Sequence, residues 1–255
     1  MIIIKIGGSA FSNKTIPLSF NETPIRRLAL LLRFHGMVPV IVHGGGSFAH
    51  PVAKAYGLDR GIRDEGQLIG VALTSLTLTM LNGRITSIFS SVGLPTYTLR
   101  TGAVFMRSGR ELRLSDDAVH LIRRLVSMGV IPMLYGDVII DEELGFSILS
   151  GDDIMVELAR ALKPSKALFL MDVDGVYTKG PGRGELIRVF KPSMRVAYGN
   201  SGIDVTGGLA SKLTSAIKIS SLGVETYLCS INDEESISRI LNGIEPMRCT
   251  EVKAN

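Results

Sequence analysis

A buried strand that runs directly into three glycines is the feature of this sequence that most constrains its fold. Residues 38–42 are apolar and rich in β-branched side chains, which predicts the strand, and Gly44–Gly46 follow it. Glycines let backbone N–H groups approach a ligand closely, and a helix that begins just after them adds positive dipole. The segment therefore predicts an anion-binding loop, most often for a phosphate, with His50 beside it as a further donor.

A second strand with a similar ending lies near residue 1. Residues 2–6 read as a fully buried strand, and Gly7 to Ser9 follow it. Lys5 interrupts this strand, and because a buried ammonium without a partner is costly, we expect Lys5 to reach an anion. An edge-strand lysine that reaches solvent is the alternative. Lys14 belongs to the same loop.

A predicted helix joins the two strands, with Thr23 and Pro24 at its start and Gly36 after its end. A strand–helix–strand unit of this length implies a right-handed parallel crossover. Both glycine loops then emerge at the carboxyl ends of adjacent strands, where ligands bind in open α/β sheets.

Alternating strands and helices continue along the chain without a linker or a repeat, which predicts an α/β fold. Residues 65–90 form a helix that is apolar nearly all round, so we expect it to be buried or to line an apolar cavity. The further predicted elements are a strand at 96–99, a helix at 117–127, a strand at 130–135, a hairpin of 138–140 and 146–149, a helix from 150 to 162, a strand at 167–171, a helix containing Lys212, a strand at 224–228, a helix at 233–241 and a possible edge strand at 247–252.

Composition sets broad limits on compartment and partners. The hydrophobic fraction of 45% supports a full core. The net charge of +4 suits a small anionic ligand as well as nucleic acid, and no Lys/Arg block is long enough to indicate a nucleic-acid-binding arm. Cys229 and Cys249 have no CxxC spacing, so we expect neither a zinc site nor a disulfide. We therefore expect the protein to lie in a reducing cytoplasm. The N-terminus lacks a signal-peptide pattern, and the apolar stretch 68–81 is shorter than the ~18 residues of a membrane span. These features predict a soluble cytoplasmic protein.

The glycine loop also fits a dinucleotide fingerprint through Gly44, Gly46 and Ala49, with Asp64 at the spacing of a ribose-binding acid. We set this match aside because Asp64 lies in a polar loop and not at a strand end. The chain also offers several phosphate loops and at least three lysines beside them. P-loop and protein-kinase motifs are absent from the sequence.

Four segments together resemble the motifs of the amino acid kinase superfamily, in order and over nearly the whole chain: 5–9, 44–46, 172–178 and 204–212. Segments 46–51, 135–138 and 148–152 resemble the isopentenyl phosphate kinases within it, and His50 is the discriminating residue. Ala49 departs from the glycine of that pattern. The resemblance implies one domain, 1–255, folded as a three-layer αβα sandwich with a mainly parallel central sheet. Residues 1–160 would bind the acceptor and 161–255 would bind ATP, in a cytoplasmic homodimer.

The resemblance also implies the roles of individual residues. Lys14 would stabilise the transition state, and His50, Gly45 and Gly151 would bind the phosphate of isopentenyl phosphate. Mg²⁺ would be held chiefly by phosphates and water. The other catalytic residues would be Lys5, Lys212 and Asp152, which orients the lysines. The ATP-binding residues would be Lys5, Ile6, Gly7, Gly8, Ser9, Gly46, Asp172, Tyr177, Gly207, Gly208 and Lys212.

The sequence leaves alternatives open for the tail pocket and for the function. The isopentenyl tail needs an apolar pocket, which we expect Leu68, Val71 and Ile148 to line, although core packing would explain the same residues. His43 and Asp153 are expected to be structural. A fosfomycin-type or other small phosphate or phosphonate kinase, and a non-catalytic nucleotide- or oxyanion-binding protein, are the alternative functions.

Overall fold

The computed structural model describes residues 1–13, 15–58, 61–109, 111–194 and 208–254. The strands in these ranges are β1 (Ile2–Ile6), β2 (Val40–His43), β3 (Thr96–Thr98), β4 (Phe105–Ser108), β5 (Glu111–Leu114), β6 (Ile131–Tyr135), β7 (Asp137–Asp141), β8 (Gly145–Leu149), β9 (Lys166–Met171), β10 (Val189–Phe190), β11 (Glu225–Ser230) and β12 (Cys249–Val252). The helices are α1 (Thr23–Phe34), α2 (Gly46–Ala55), α3 (Gly66–Ser91), α4 (Thr101–Val104), α5 (Asp116–Ser127), α6 (Gly151–Leu162), α7 (Gly208–Ser220) and α8 (Glu234–Leu241), with a 3₁₀ turn at Gly8–Ala10.

The central sheet has the strand order β10-β12-β11-β9-β1-β2-β6-β3. It is parallel from β11 to β3, and β12 runs antiparallel to β11. The alternation of side chains along β1 divides the core into two layers, because Ile3 packs with the cluster that contains α5, α6 and α7, whereas Ile4 packs with α1, α3 and α8. The predicted three-layer αβα sandwich with a mainly parallel sheet is confirmed.

A smaller sheet, ordered β5-β4-β7-β8, stands beside the central one. The β7–β8 hairpin matches the prediction, but the β4–β5 hairpin was not predicted. Neither was β10, whose two residues carry too little pattern to read from sequence, and which makes β12 an inner strand instead of the expected edge.

Helix α3 has one buried face and one exposed face. The expectation that this helix is buried or lines an apolar cavity is correct for one face only: Thr74 and Leu78 are buried, whereas Leu76 is 56% exposed. By length and composition, its 26 residues could cross a membrane. The apolar stretch 68–81 that was considered from the sequence alone is too short to do so. A helix of a soluble core passes the same test, and α3 packs against α1, α2 and β3 of the domain.

Cys229 and Cys249 form a disulfide, with Cα atoms 4.6 Å apart. The expectation of no disulfide is therefore wrong. The antiparallel register of β11 and β12 sets the two cysteines directly opposite each other, and both are buried. Cysteine spacing along the chain carries no information about such a register, which tertiary structure alone creates.

Candidate active site

An ion pair between Lys5 and Asp152 lies at the centre of the site. Lys5, on β1, is 5% exposed, and its Nζ lies 2.7 Å from Oδ1 of Asp152 in the first turn of α6. The expected anionic partner of Lys5 is thus found. Gly151 packs closely against this pair: a Cβ at this residue would lie 2.8 Å from Cε of Lys5, which would then have to shift.

The two glycine loops meet backbone to backbone beside this pair. A Cβ on Gly8 would lie 2.6 Å from Cα of Gly46, so side chains are excluded from the contact. Gly8 and Gly46 each begin a short helix, where N–H groups have no intrahelical acceptor and can bind an anion. Gly7 cannot serve as the expected donor, since its N–H donates to the Leu170 carbonyl oxygen at 2.8 Å. The β1–β9 ladder simply continues one residue past the strand.

A cavity of about 240 Å³ joins the ion pair to an apolar chamber. Its polar end is formed by the glycine loops, Ser9, Lys5, Gly151 and Asp152, together with Gly208, Ser211 and Lys212 from α7. His50 lines it from α2, beside Ala49 and Ala53. The structure therefore brings together the residues predicted to bind the acceptor phosphate.

The apolar end of the cavity differs in part from the expectation. Ile148 lines it as predicted, together with Val138 from the same hairpin. Leu68 and Val71 do not line it, and Leu68 is exposed. Thr74 and Leu78 take that place on α3, because the helix turns a different face to the cavity from the one read from sequence.

The predicted nucleotide side lies at the ends of β9 and α7. The Ser9 hydroxyl donates to Asp172 at 2.8 Å, which ties the first glycine loop to the end of β9. The Tyr177 hydroxyl donates to Asp174 at 2.8 Å, and Arg248 pairs with the same carboxylate at 2.7 Å. The Ile6 side chain is fully buried and does not line the cavity.

Lys212 and Gly208 lie at the N-terminal end of α7, where Nζ of Lys212 donates to the Gly208 carbonyl oxygen at 2.8 Å. A helix N-terminus and an ammonium group together suit phosphate oxygens. Two further predicted residues, Lys14 and Gly207, lie outside the described residues, so their roles stay predictions.

His43 has the structural role that the sequence predicted. Its ring is fully buried, with contacts to the Gly44 carbonyl oxygen at 3.1 Å and Asn82 Oδ1 at 3.2 Å, and it stacks on Tyr135. Burial lowers the pKa of His43 to about 4, against smaller opposing effects of the two hydrogen bonds. The ring is therefore neutral at pH 7 and holds the second glycine loop against α3.

Two carboxylates near the cavity have structural partners. Ser150 caps α6 by accepting a hydrogen bond from the Asp153 N–H at 3.1 Å, and its hydroxyl donates to the Asp153 carboxylate at 2.8 Å, so Asp153 has the structural role that was expected. Asp137 lines the cavity and accepts from the Val138 N–H at 2.8 Å. Burial raises the pKa of Asp137, although its backbone hydrogen bonds oppose the shift.

Sequence reasoning missed a set of serines that order the site. Ser12 accepts a hydrogen bond from the Ser47 N–H at 3.1 Å and donates to the Gly8 carbonyl oxygen at 2.8 Å. It thereby links the loop after β1 to the start of α2. Ser211 lies 3.5 Å from Asp152. Single serines in loops carry no periodic signal, and only the contacts reveal them.

Comparison with known proteins agrees with this geometry. A family model described as the amino acid kinase family matches residues 1–230. The chain belongs to the amino acid kinase family. The isopentenyl phosphate kinase of Thermoplasma acidophilum is 33% identical to it over 247 residues, which cover 94% of this chain and 96% of the relative.

Two further matches extend over nearly the full length. The isopentenyl phosphate kinase of Methanothermobacter thermautotrophicus is 31% identical over 265 residues, covering 99% of this chain and 98% of the relative. A crystal structure described as isopentenyl phosphate kinase superposes with a TM-score of 0.84 at 28% identity, covering 99% of this chain and all of that one. The resemblance stated from the motifs is thereby confirmed.

Proposed function

We propose that this protein transfers the γ-phosphoryl group of ATP to isopentenyl phosphate, giving isopentenyl diphosphate and ADP in an alternative mevalonate route to isoprenoids. The observation that carries the proposal is the two-ended cavity, with glycine loops and lysines at one end and apolar walls at the other. An acceptor that fits must combine an anionic head with a short apolar tail. The names of the full-length relatives support the same substrate.

The chemistry requires positioning and charge neutralisation more than proton transfer. A phosphate oxygen of the acceptor is already anionic, so it attacks the γ-phosphorus of ATP without a general base while the bond to the β-phosphate oxygen breaks. Lys5 supplies positive charge to the transferring group, and Asp152 fixes its position. His50 and the N–H groups of the glycine loops hold the acceptor. Lys14 would stabilise the transition state.

The residues present fit ATP with Mg²⁺ as its counterion. Gly208 and Lys212 offer a helix N-terminus and a cation to the phosphates, and Asp172 lies at the adjacent strand end. Within the described ranges there is no cluster of three His, Cys, Asp or Glu side chains that could hold a metal ion. We propose that Mg²⁺ is bound mainly through phosphates and water, and that residues 161–255 serve the nucleotide while residues 1–160 serve the acceptor.

A side-by-side assay tests the function. The purified chain is incubated with ATP and Mg²⁺ and either isopentenyl phosphate, dimethylallyl phosphate, fosfomycin, acetylglutamate or UMP. We expect turnover on the isoprenoid phosphates and loss of turnover with EDTA. Turnover on fosfomycin alone would favour the fosfomycin-type alternative. ATP binding without turnover on any acceptor would favour a non-catalytic binding protein.

His50→Ala sharpens this assay. Because His50 lines the acceptor end of the cavity, we expect KM for isopentenyl phosphate to rise about tenfold or more while KM for ATP changes little. His120→Ala, on α5 outside the cavity, is the matched control. A rise in KM for ATP with an unchanged KM for the acceptor would contradict the role given to His50.

We propose a cytoplasmic homodimer formed through the exposed face of α3. Ile69, Leu73, Leu76 and Met80 are exposed at spacings of four, three and four residues, which forms one apolar stripe of coiled-coil type. The neighbouring strand β3 is the last strand of the central sheet among the described residues. ATP as donor supports a cytoplasmic location, and buried disulfides occur in some intracellular proteins.

Light scattering during size exclusion tests this assembly. The wild-type chain should elute with about twice the mass of one chain, and Leu76→Glu should elute as a monomer because a carboxylate would be buried in the stripe. Ser127→Glu, which is exposed on α5 instead of α3, should stay dimeric. A monomeric wild type would refute the dimer without bearing on the reaction.

A further inference from the structure

The Thr74 side chain carries a buried hydroxyl that none of the described residues satisfies. Thr74 is 2% exposed, lines the cavity, and its Oγ1 has no hydrogen-bond partner among the described residues. Other threonines of α3 behave differently: Thr77 donates to the Thr74 carbonyl oxygen at 3.0 Å, and Thr86 donates to that of Asn82 at 2.9 Å. An orphaned buried hydroxyl is unfavourable, so its presence in the cavity wall beside Leu78 calls for a partner.

The position of Thr74 indicates what that partner is. Leu78 lies one turn after it on α3 and approaches the second glycine loop, since a Cβ on Gly45 would lie 3.1 Å from the Leu78 Cδ2. Thr74 is therefore about one helical turn, roughly 5–6 Å, further from the phosphate end. Val138 and Ile148 line the same apolar end from the hairpin. A ligand atom that meets Thr74 belongs to the tail of the acceptor and not to its phosphate.

Rotation about χ1 can exchange the two branches of this side chain. Threonine in a helix divides between two χ1 rotamers, and rotation of Thr74 breaks no hydrogen bond within the described part of the chain. One rotamer turns the methyl group to the cavity and the other turns the hydroxyl to it. The wall can thus offer either an apolar or a polar contact to the acceptor tail.

We propose that Thr74 extends the substrate range of the site to short-chain alkyl phosphates that carry a hydroxyl group on the tail. The inference rests on the proposed kinase function and concerns the same cavity. The tail hydroxyl does not react: it exchanges a hydrogen bond with Thr74, while the phosphoryl group moves from ATP to the acceptor phosphate as before. A hydrocarbon tail meets the methyl group instead.

Three acceptors of one carbon skeleton test the proposal: isopentenyl phosphate, 3-methylbutyl phosphate and 3-hydroxy-3-methylbutyl phosphate. In the wild type, we expect turnover of all three. Thr74→Val keeps the shape and removes the hydroxyl, so the ratio of kcat/KM for the hydroxylated acceptor to that for 3-methylbutyl phosphate should fall about tenfold, the loss of one hydrogen bond of about 1.4 kcal/mol. Thr74→Ser should retain most of the ratio.

Thr86→Val, which removes a satisfied hydroxyl away from the cavity, should leave the ratio unchanged. The melting temperature gives a readout besides activity: Thr74→Val should raise it, because an orphaned buried hydroxyl is lost, whereas Thr86→Val should not. An unchanged acceptor ratio in Thr74→Val, or a lower melting temperature for that variant, would overturn the proposal. Absence of turnover on all three acceptors by the wild type would instead refute the proposed function itself.

Discussion

Lys5→Met lowers kcat by about 10²–10³-fold with both substrates saturating, the effect of removing one charged group that stabilises a transition state. Methionine keeps most of the length of the side chain and removes the ammonium that pairs with Asp152 in the cavity. The measurement is steady-state turnover of isopentenyl phosphate, with KM for each substrate determined separately. A decrease in kcat of less than about threefold would contradict a direct role for Lys5.

Loss of Lys5 also leaves Asp152 buried without its partner, which is expected to reduce stability as well as turnover. The variant with both Lys5→Met and Asp152→Asn separates the two effects. We expect the double variant to regain stability in thermal unfolding while kcat stays low, because no unpaired charge is buried but the cation is still missing. Lys253→Met, an exposed lysine in the last strand region, is the control and should match the wild type in both measurements.

The elements that carry local signals were predictable from the sequence. Ile2–Ile6 and Val40–His43 are runs of apolar residues closed by glycines, so both the strands and their loops follow from residues within one short window. The αβα layers then follow from the alternation of such strands with helices. Lys5 was predicted to reach an anion because its burial could be read from its neighbours.

The features that depend on distant contacts were not predictable in the same way. The wall of the apolar chamber depends on which face α3 turns inward. Apolar residues lie on all sides of this helix, including its exposed side, and therefore do not indicate that face. Thr74, and not Val71, therefore lines the cavity. The N–H of Gly7 is similarly taken by β9, a strand more than 150 residues away. Asp152 as the partner of Lys5 came from the family resemblance and not from physical reasoning on the sequence.

The C-terminal strand shows how one such distant contact bears on the site. Thr250, next to Cys249 on β12, accepts a hydrogen bond from the Val176 N–H at 2.9 Å and donates to the Ile187 carbonyl oxygen at 2.7 Å. These bonds hold the segment that follows Asp172, which is predicted to bind ATP. The disulfide fixes β12 to β11, and thereby helps to hold this segment in place.

Removal of this disulfide should cause a large loss of stability. The cysteines are separated by 20 residues, and closing a loop of that size in the unfolded chain corresponds to about 3 kcal/mol in the chain-entropy model. Cys229→Ala with Cys249→Ala, or reduction by a phosphine, should therefore lower the melting temperature by roughly 2–4 °C per kcal/mol lost.

Thermal unfolding of the oxidised wild type against the double variant measures the effect. Reductant added to the double variant is the control and should cause no further decrease. Two titratable thiols per chain in unreduced, unfolded wild type would contradict the bond, and an equal melting temperature with and without it would contradict its stabilising role.

Because β12 holds the segment that follows Asp172, we also expect KM for ATP to rise before KM for the acceptor does as the disulfide is reduced.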